Sequence, residues 1–433
     1  MNRRTFLKQS AGAAAVAALA ERKPASALAP PIQHIVHVIM ENRSFDHFLG
    51  WFPNATAKNA GLSYLDNNNV AHSTYALSGD RTGCGHPDPD HSYAGARVEY
   101  NNGAMDGWLR AGSNDVYAIG YYVEQDIPAF AAMARNFVVC DQYFASILGP
   151  TFPNRIFAHS GQTDRLDDSL SLCSLPTIWD RLSAAGVSHK YYYGNIPFLA
   201  LYGLKYLGIS APFTTFLSDC AAGTLPAVSF LDPKFTILLN TADDDHPNSD
   251  IQNGDAFLWA VYHSIASSPN WNSTVLVVTF DEWGGFFDHV APPRATAPNT
   301  VDPDLVNGKA LLGCRVPAVV ISPWTVGNPS NPAVNHTVFD HTSVLKMIES
   351  VFNVSPVAAR ETSTDVGNLL SVIDLTRPPM PAPSLRFTLP TIPQKICVSS
   401  VTSEISSPSS GGGTAFQRMI RQGLLRGWPV DLN

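Results

Sequence analysis

Charge is scarce in this 433-residue chain. Asp, Glu, Lys and Arg together make 15% of it, where an ordinary soluble domain has ~25%. That scarcity excludes a coiled coil, and 28 basic against 36 acidic residues exclude a basic nucleic-acid binder. Long apolar runs are missing too: the Ala-rich stretch Ala11–Ala20 is too short to cross a bilayer, which takes ~20 residues. Cysteine is sparse, six in all and none in C-x-x-C spacing, which argues against a zinc ribbon. The six leave two readings open, disulfides of an oxidising compartment or plain buried thiols. No repeat of fixed period exists, so a solenoid or propeller is excluded. What the chain does have is 45% hydrophobic and 10% aromatic residues with 33 prolines. That is material for a large core with many loops, not for disorder.

The N-terminus reads MNRRTFLKQS and then AGAAAVAALA. Charge, apolar run and small-residue site follow in the order of a signal peptide, with cleavage expected after Ala27 in Ala25-Ser26-Ala27. The string resembles a twin-arginine signal, with Asn2 where Ser or Thr is commoner. The Tat export machinery is therefore an expected partner, and the periplasm or the cell exterior the expected location. Residues 1–27 hold five basic residues and one acidic one, so their removal leaves 23 against 35, a net charge of −12. Such a field repels polyanions, so no nucleic acid is expected, and contact with an anionic membrane is transient at most.

In the mature chain, short apolar runs end in polar residues: Ile35–Met40, Phe137–Cys140, Lys190–Tyr193, Ala227–Leu231, Val275–Phe280 and Pro317–Ile321. Their length and β-branched content predict buried strands. Helical patterns lie between several of them, at Pro128–Arg135, Thr177–Ala185, Gly254–Ser267 and Thr342–Phe352. This alternation predicts an α/β domain with a central, mainly parallel sheet flanked by helices, over residues 28–397. Asn54–Gln125, rich in Asn, Gly, Asp and Tyr, is expected as a loop-rich insertion over the active site. The Pro-rich stretch 374–393 is expected to strap across the surface. Residues 398–433 hold a Ser/Gly linker, Ser406–Gly413, and an amphipathic tail, Thr414–Leu425, that either docks as a terminal helix or touches a membrane.

Ligands of open α/β sheets bind beyond the carboxyl ends of the strands. Two strand ends carry unusual polar pairs there, Glu41-Asn42 in ENRSFDHFLG and Asp281-Glu282 in FDEWGGFFDHV, each followed by a D-H pair. Three carboxylates and an amide at adjacent ends repel one another unless a cation joins them, and all four offer oxygen ligands. A third element is LGPTFPNRIFAHSGQ, where Thr151 precedes Phe152-Pro153 and is expected as a helix N-cap, beside free N–H groups and the positive end of the helix dipole.

Together with DPDHSY, TIWDRL, VPAVVISP and DHTSVLKMIE, these elements resemble the bacterial phosphoesterase family of non-zinc phospholipases C and related acid phosphatases, from about Ile32 to about Arg360. The resemblance implies an alkaline-phosphatase-like fold. It implies one divalent ion (Ca, Mg, Mn or Zn) on Glu41, Asn42, Thr151, Asp281 and Glu282, with Thr151 also the nucleophile. It implies His91 and His246 as catalytic residues at the phosphate or leaving group, and Asn42, Asn154, Arg155 and His341 as substrate contacts. Thr151-Phe-Pro-Asn-Arg155 has the spacing of the sulfatase signature of the same superfamily, but Thr cannot become the formylglycine that sulfatases need. Phosphate esters are therefore expected over sulfate esters.

The leading expectation is an exported phospholipase C acting on phosphocholine-type lipids. Trp108, Tyr117, Tyr121, Tyr122 and Trp283 are expected at the mouth, gripping a cationic head group. A periplasmic acid phosphomonoesterase is the alternative on the same core. A catalytically silent, cation-binding exported protein is the alternative of another class, and an intact Thr151 argues against it.

Overall fold

Strands form where β-branched residues run unbroken. HIVHVIM (His34–Met40) and TVLVVTF (Thr274–Phe280) are buried along almost their whole length and pair in parallel, with Met40 opposite Phe280. The computed structural model describes residues 31–235, 242–388 and 415–430. In it these two strands form the middle of an eight-stranded sheet. Its order is Ala333–Asn335, Val138–Cys140, Ala318–Ile321, Thr274–Phe280, His34–Met40, Val228–Asp232, His189–Tyr193, Ser210–Pro212. Only Ala318–Ile321 runs against its two neighbours. The chain is thus an α/β protein with a central, mainly parallel sheet whose middle strands are buried along almost their whole length.

The six expected strands all lie in this sheet, and helices Pro128–Asn136, Ile178–Ala184, Ile251–Ala266 and His341–Phe352 occupy the four expected segments. The two edge strands were not foreseen. Ser210–Pro212 and Ala333–Asn335 have three residues each, too few to show alternation. Tyr191, Tyr192 and Tyr193 belong to the core. Cys140, Cys173, Cys220 and Cys314 are buried free thiols, whereas Cys84 is disulfide-bonded.

The described part of the Pro-rich stretch, 374–388, does lie on the surface, where Trp271 and Tyr262 donate to the carbonyls of Met380 and Pro383. The tail docks. In helix Ala415–Arg421, Phe416 and Met419 are fully buried, each worth ~1.5–3 kcal/mol of transfer free energy. Phe416 stacks on Phe235 with ring centroids 3.6 Å apart and meets Phe152 edge-on. Among the described residues no helix is long and apolar enough to cross a membrane. The expected signal peptide and the Ser/Gly linker lie outside the described residues.

Candidate active site

Because the two central strands are in register, Glu41-Asn42 and Asp281-Glu282 leave the sheet side by side. Asp281 ties the two ends together: its Oδ1 accepts the Asn42 and Glu282 amides at 3.1 and 2.7 Å. That grip holds Asn42 at a positive φ of 57°, a conformation Asn tolerates better than most residues. Gly284 follows at φ +64°, where a Cβ would collide with the Asn42 carbonyl at 2.2 Å, so only glycine allows the strand ends to approach this closely.

Beneath them lies Arg155, 1% exposed, from helix Thr151–Ser160. Its Nε donates to Asp281 Oδ2 at 3.0 Å and its Nη1 to Asp232 Oδ1 at 2.8 Å. Glu41 Oε1 stands 3.2 Å from Nη2 but makes no hydrogen bond. Arg155 is thus the counter-charge of the acid cluster and does not face the cavity. Glu282 Oε1 is also buried without a hydrogen bond, while its Oε2 accepts the Gly284 amide. Burial pushes the carboxyls of both Glu41 and Glu282 well above the usual range; Arg155 opposes this for Glu41 and His91 for Glu282.

Thr151 stands across from this cluster. It is the first residue of its helix and not the cap, a position taken by the extended Pro150. The hydroxyl is therefore free to turn toward the strand ends, where it donates to Asn42 Oδ1 at 3.4 Å. Asp168 does the capping, accepting the Phe152 amide at 2.8 Å. Asn154, expected at the substrate, holds the turn before the helix instead: its amide donates to the carbonyls of Ile147, Gly149 and Pro150. His341 is buried as well, its Nε2 2.7 Å from the Asp281 carbonyl, so it positions the second strand end from behind.

The 54–125 segment brings His91 to the open side. Ser92 caps helix Tyr93–Tyr100 by accepting the Gly95 amide, and Gly285 at φ +71° lets Pro89 pack against it. His91 Nε2 then lies 3.5 Å from Asn42 Nδ2 and 3.9 Å from Glu282 Oε1. Burial alone would lower this imidazole, but Glu282 and Asp88 raise it to about 10. His246 arrives from the loop before helix Ile251–Ala266, which Arg43 holds by donating to the Asp245 carbonyl at 2.7 Å. Its ring centroid is 6.3 Å from that of His91.

The structure therefore gathers Glu41, Asn42, Thr151, Glu282, His91 and His246 around one space, with Asp281, Arg155, Asn154 and His341 behind it as support. A cavity of about 700 Å³ opens beside Pro150, lined by Asp88, Asp90, His91, Asp167, Asp168 and Arg418. The expected aromatic grip is absent from it. Trp108, Tyr117, Tyr122 and Trp283 are buried at 1% exposure or less, with Trp283 donating to Glu99 and Trp108 to the Met105 carbonyl. Only Tyr121 is partly exposed, and it does not line the cavity. Asp88 went unremarked in DPDHSY although it stood three residues from His91; Asp168 carried no signal at all.

The chain matches the model of the phosphoesterase family over residues 32–355. It is 33% identical to non-specific phospholipase C6 of Arabidopsis thaliana over 361 residues, 75% of this chain and 69% of that protein. It is 31% identical to phospholipase C A of Mycobacterium tuberculosis, over 92% of this chain and 90% of the relative. A solved structure from Vibrio parahaemolyticus, of a protein in the alkaline phosphatase superfamily, aligns with 79% of this chain and 71% of its own at 12% identity and TM-score 0.37.

Proposed function

The chain belongs to the phosphoesterase family and is a hydrolase of phosphoric esters, and from that premise we propose that it is an exported phospholipase C with Thr151 as its nucleophile. The observation that carries this reading is the Thr151 hydroxyl at a helix start, 3.4 Å from Asn42 Oδ1 and opposite carboxylates that are buried and incompletely bonded.

A divalent ion fits the donor set. Glu41 and Glu282 each keep a buried oxygen without a hydrogen bond, and the Asn42 and Thr151 oxygens face each other. Asp281 is more heavily engaged: its Oδ1 accepts two amides, while its Oδ2 accepts from Arg155 and keeps a lone pair. The ion would thus sit on Glu41, Asn42, Thr151 and Glu282, with Asp281 Oδ2 as a further ligand. Bound there, it would supply Lewis acidity to the Thr151 oxygen and to a phosphoryl oxygen.

The chain's own groups do the rest. The helix start that carries Thr151 places its oxygen at the positive end of the dipole. Asn42 fixes the direction of attack through its side chain. A cationic His91 meets the departing alcohol oxygen with a proton, and His246 stands beside it. Attack by the Thr151 oxygen, its proton passing to solvent water, forms a phospho-threonine as the alcohol leaves with the proton of His91. A water molecule then breaks the phospho-threonine bond, returning one proton to His91 and one to Thr151. The four aspartates of the cavity wall outnumber its cations, His91 and Arg418, and support a cationic head group on the ester, which favours the diester reading over a bare phosphate monoester.

The test compares p-nitrophenylphosphorylcholine with p-nitrophenyl phosphate, with and without chelator, in wild type and Thr151→Ala. The expected result is turnover of the diester, loss with chelator, and a fall on the order of 10⁴-fold or more in Thr151→Ala. Turnover of the monoester alone sinks the phospholipase reading, and full activity in Thr151→Ala sinks the nucleophile.

A further inference from the structure

The two most exposed large apolar side chains among the described residues are Leu172, at 63%, and Leu204, at 55%. One exposed leucine is ordinary, but two side by side form a patch. They stand together because their segments are tied. The Cys173 amide donates to the Leu201 carbonyl at 2.9 Å, and a Cβ on Gly203 would lie 4.0 Å from Leu172 Cδ1. Gly203 itself turns the chain just before Leu204, at a φ of +67° that favours glycine.

The docked tail closes the other side. A Cβ on Gly427 would meet Leu204 Cδ2 at 3.3 Å, and Trp428 donates its indole N–H to the Gly203 carbonyl at 3.3 Å. Exposed Arg426 precedes Gly427, and Lys205 follows Leu204 with its Nζ 2.8 Å from Asp180. A cation thus flanks the pair on each segment, with a stem that can lie along apolar surface while its head reaches phosphate.

The same segments wall the cavity. Asp167 and Asp168 line it from one and Arg418 from the other, and Arg418 donates to the Asp168 carbonyl at 3.1 Å. Leu172 is four residues beyond Asp168, at most ~14 Å of extended chain. The leucines therefore stand on the rim of the mouth. Another exposed apolar pair, Leu65 and Val70, belongs to the hairpin of Ser63–Leu65 and Ala71–Ser73, no residue of which lines the cavity.

We propose that Leu172, Leu204 and the tail turn 423–428 form the surface by which the protein seats on a zwitterionic phospholipid bilayer. This seating rests on the phospholipase C reading above and adds how the lipid reaches the cavity. A lipid whose head group enters the cavity keeps its acyl chains at the mouth, where an apolar rim can meet them. A protein partner on this rim would cover a mouth that turnover needs open, whereas a bilayer brings the substrate with it. The net charge of −8 disfavours an anionic surface, so the seating relies on apolar contact with a neutral one.

The experiment is cosedimentation of the full chain with phosphatidylcholine vesicles, in a Thr151→Ala background that keeps the lipid intact. Leu172→Ser with Leu204→Ser is expected to weaken binding by about tenfold or more, and Leu65→Ser with Val70→Ser to leave it unchanged. With Thr151 present, the Leu172 and Leu204 substitutions are expected to cut turnover of vesicle phosphatidylcholine. Turnover of soluble p-nitrophenylphosphorylcholine should stay unchanged, which a loss of folding would not allow. No binding by the Thr151→Ala chain, equal binding after the Leu172 and Leu204 substitutions, or equal loss from both pairs overturns the proposal. So does a dimer in gel filtration that these substitutions dissolve, since a second copy would then be the occupant. Turnover is read separately. Binding that depends on the leucines without cleavage of any phosphodiester upholds the surface and refutes the function; cleavage with binding that ignores them does the reverse.

Discussion

Two buried acid clusters lie at the same end of the sheet, and each is met by one buried arginine. Around Arg315 every oxygen has a donor: Asp46 accepts from Lys58, His289 and Arg315, and Asp288 from Val290 and Arg315. Arg315 in turn donates its remaining N–H groups to the carbonyls of Thr56 and Asp141. Around Arg155 the accounts do not balance, because Glu41 and Glu282 each keep a buried oxygen with no hydrogen bond. A closed network fixes a fold, whereas an open one marks where something else must bind. The same residue types thus serve as scaffold in one place and stand at the proposed active site in the other, and satisfaction of the lone pairs tells them apart.

The sharpest way to break this contrast is Arg315→Met. It leaves Asp46 and Asp288 buried without their partner, and a loss of about 3–5 kcal/mol is expected in urea unfolding. Turnover per folded molecule should stay unchanged. If turnover falls with stability unmoved, the scaffold assignment is wrong. Glu282→Gln should do the reverse: turnover falls about 10²-fold or more, while the metal-free protein at pH 8 gains about 1 kcal/mol. A destabilised metal-free Glu282→Gln would contradict the open-network reading.

The smallest effect concerns a third pair, Glu349 and Glu361, which is compensated by a proton. Burial and the Glu361 carboxyl hold Glu349 up at about 8, and burial holds Glu361 up at about 7. Both folded values exceed the unfolded one, so between about pH 5 and 8 the folded state binds the extra proton and stability falls as pH rises. Glu349→Gln should flatten that slope and gain about 1 kcal/mol or less at pH 8. A slope that persists in the variant would place its origin elsewhere.

Much of this was legible in the residues. Short runs rich in β-branched and aromatic residues marked the inner strands, and the polar pairs at two of their ends marked the candidate site, because charge at a buried strand end needs a reason. The D-H pairs that followed were misleading neighbours. Asp46 and Asp288 meet Arg315, 27 positions beyond Asp288 in sequence, and His289 meets Asp46; no local pattern announces partners set by tertiary packing. The aromatics failed for a related reason: composition placed Trp108 and Trp283 near the mouth, but only packing could reveal that Glu99 takes the Trp283 N–H inside a second core. Arg155 and Asn154 lie close to Thr151 in sequence, yet packing turns one side chain onto Asp281 and Asp232 and the other onto the turn before the helix.

The docked tail has a consequence for the order of events during synthesis. Phe416 closes the rear of the helix that carries Thr151, and Arg418 holds the Asp168 carbonyl at 3.1 Å. These contacts come from residues that leave the ribosome after the whole sheet has been made. A nascent chain could therefore complete its eight strands with the helix of Thr151 still unsupported. The surroundings of Thr151 would then be completed only after the sheet has formed.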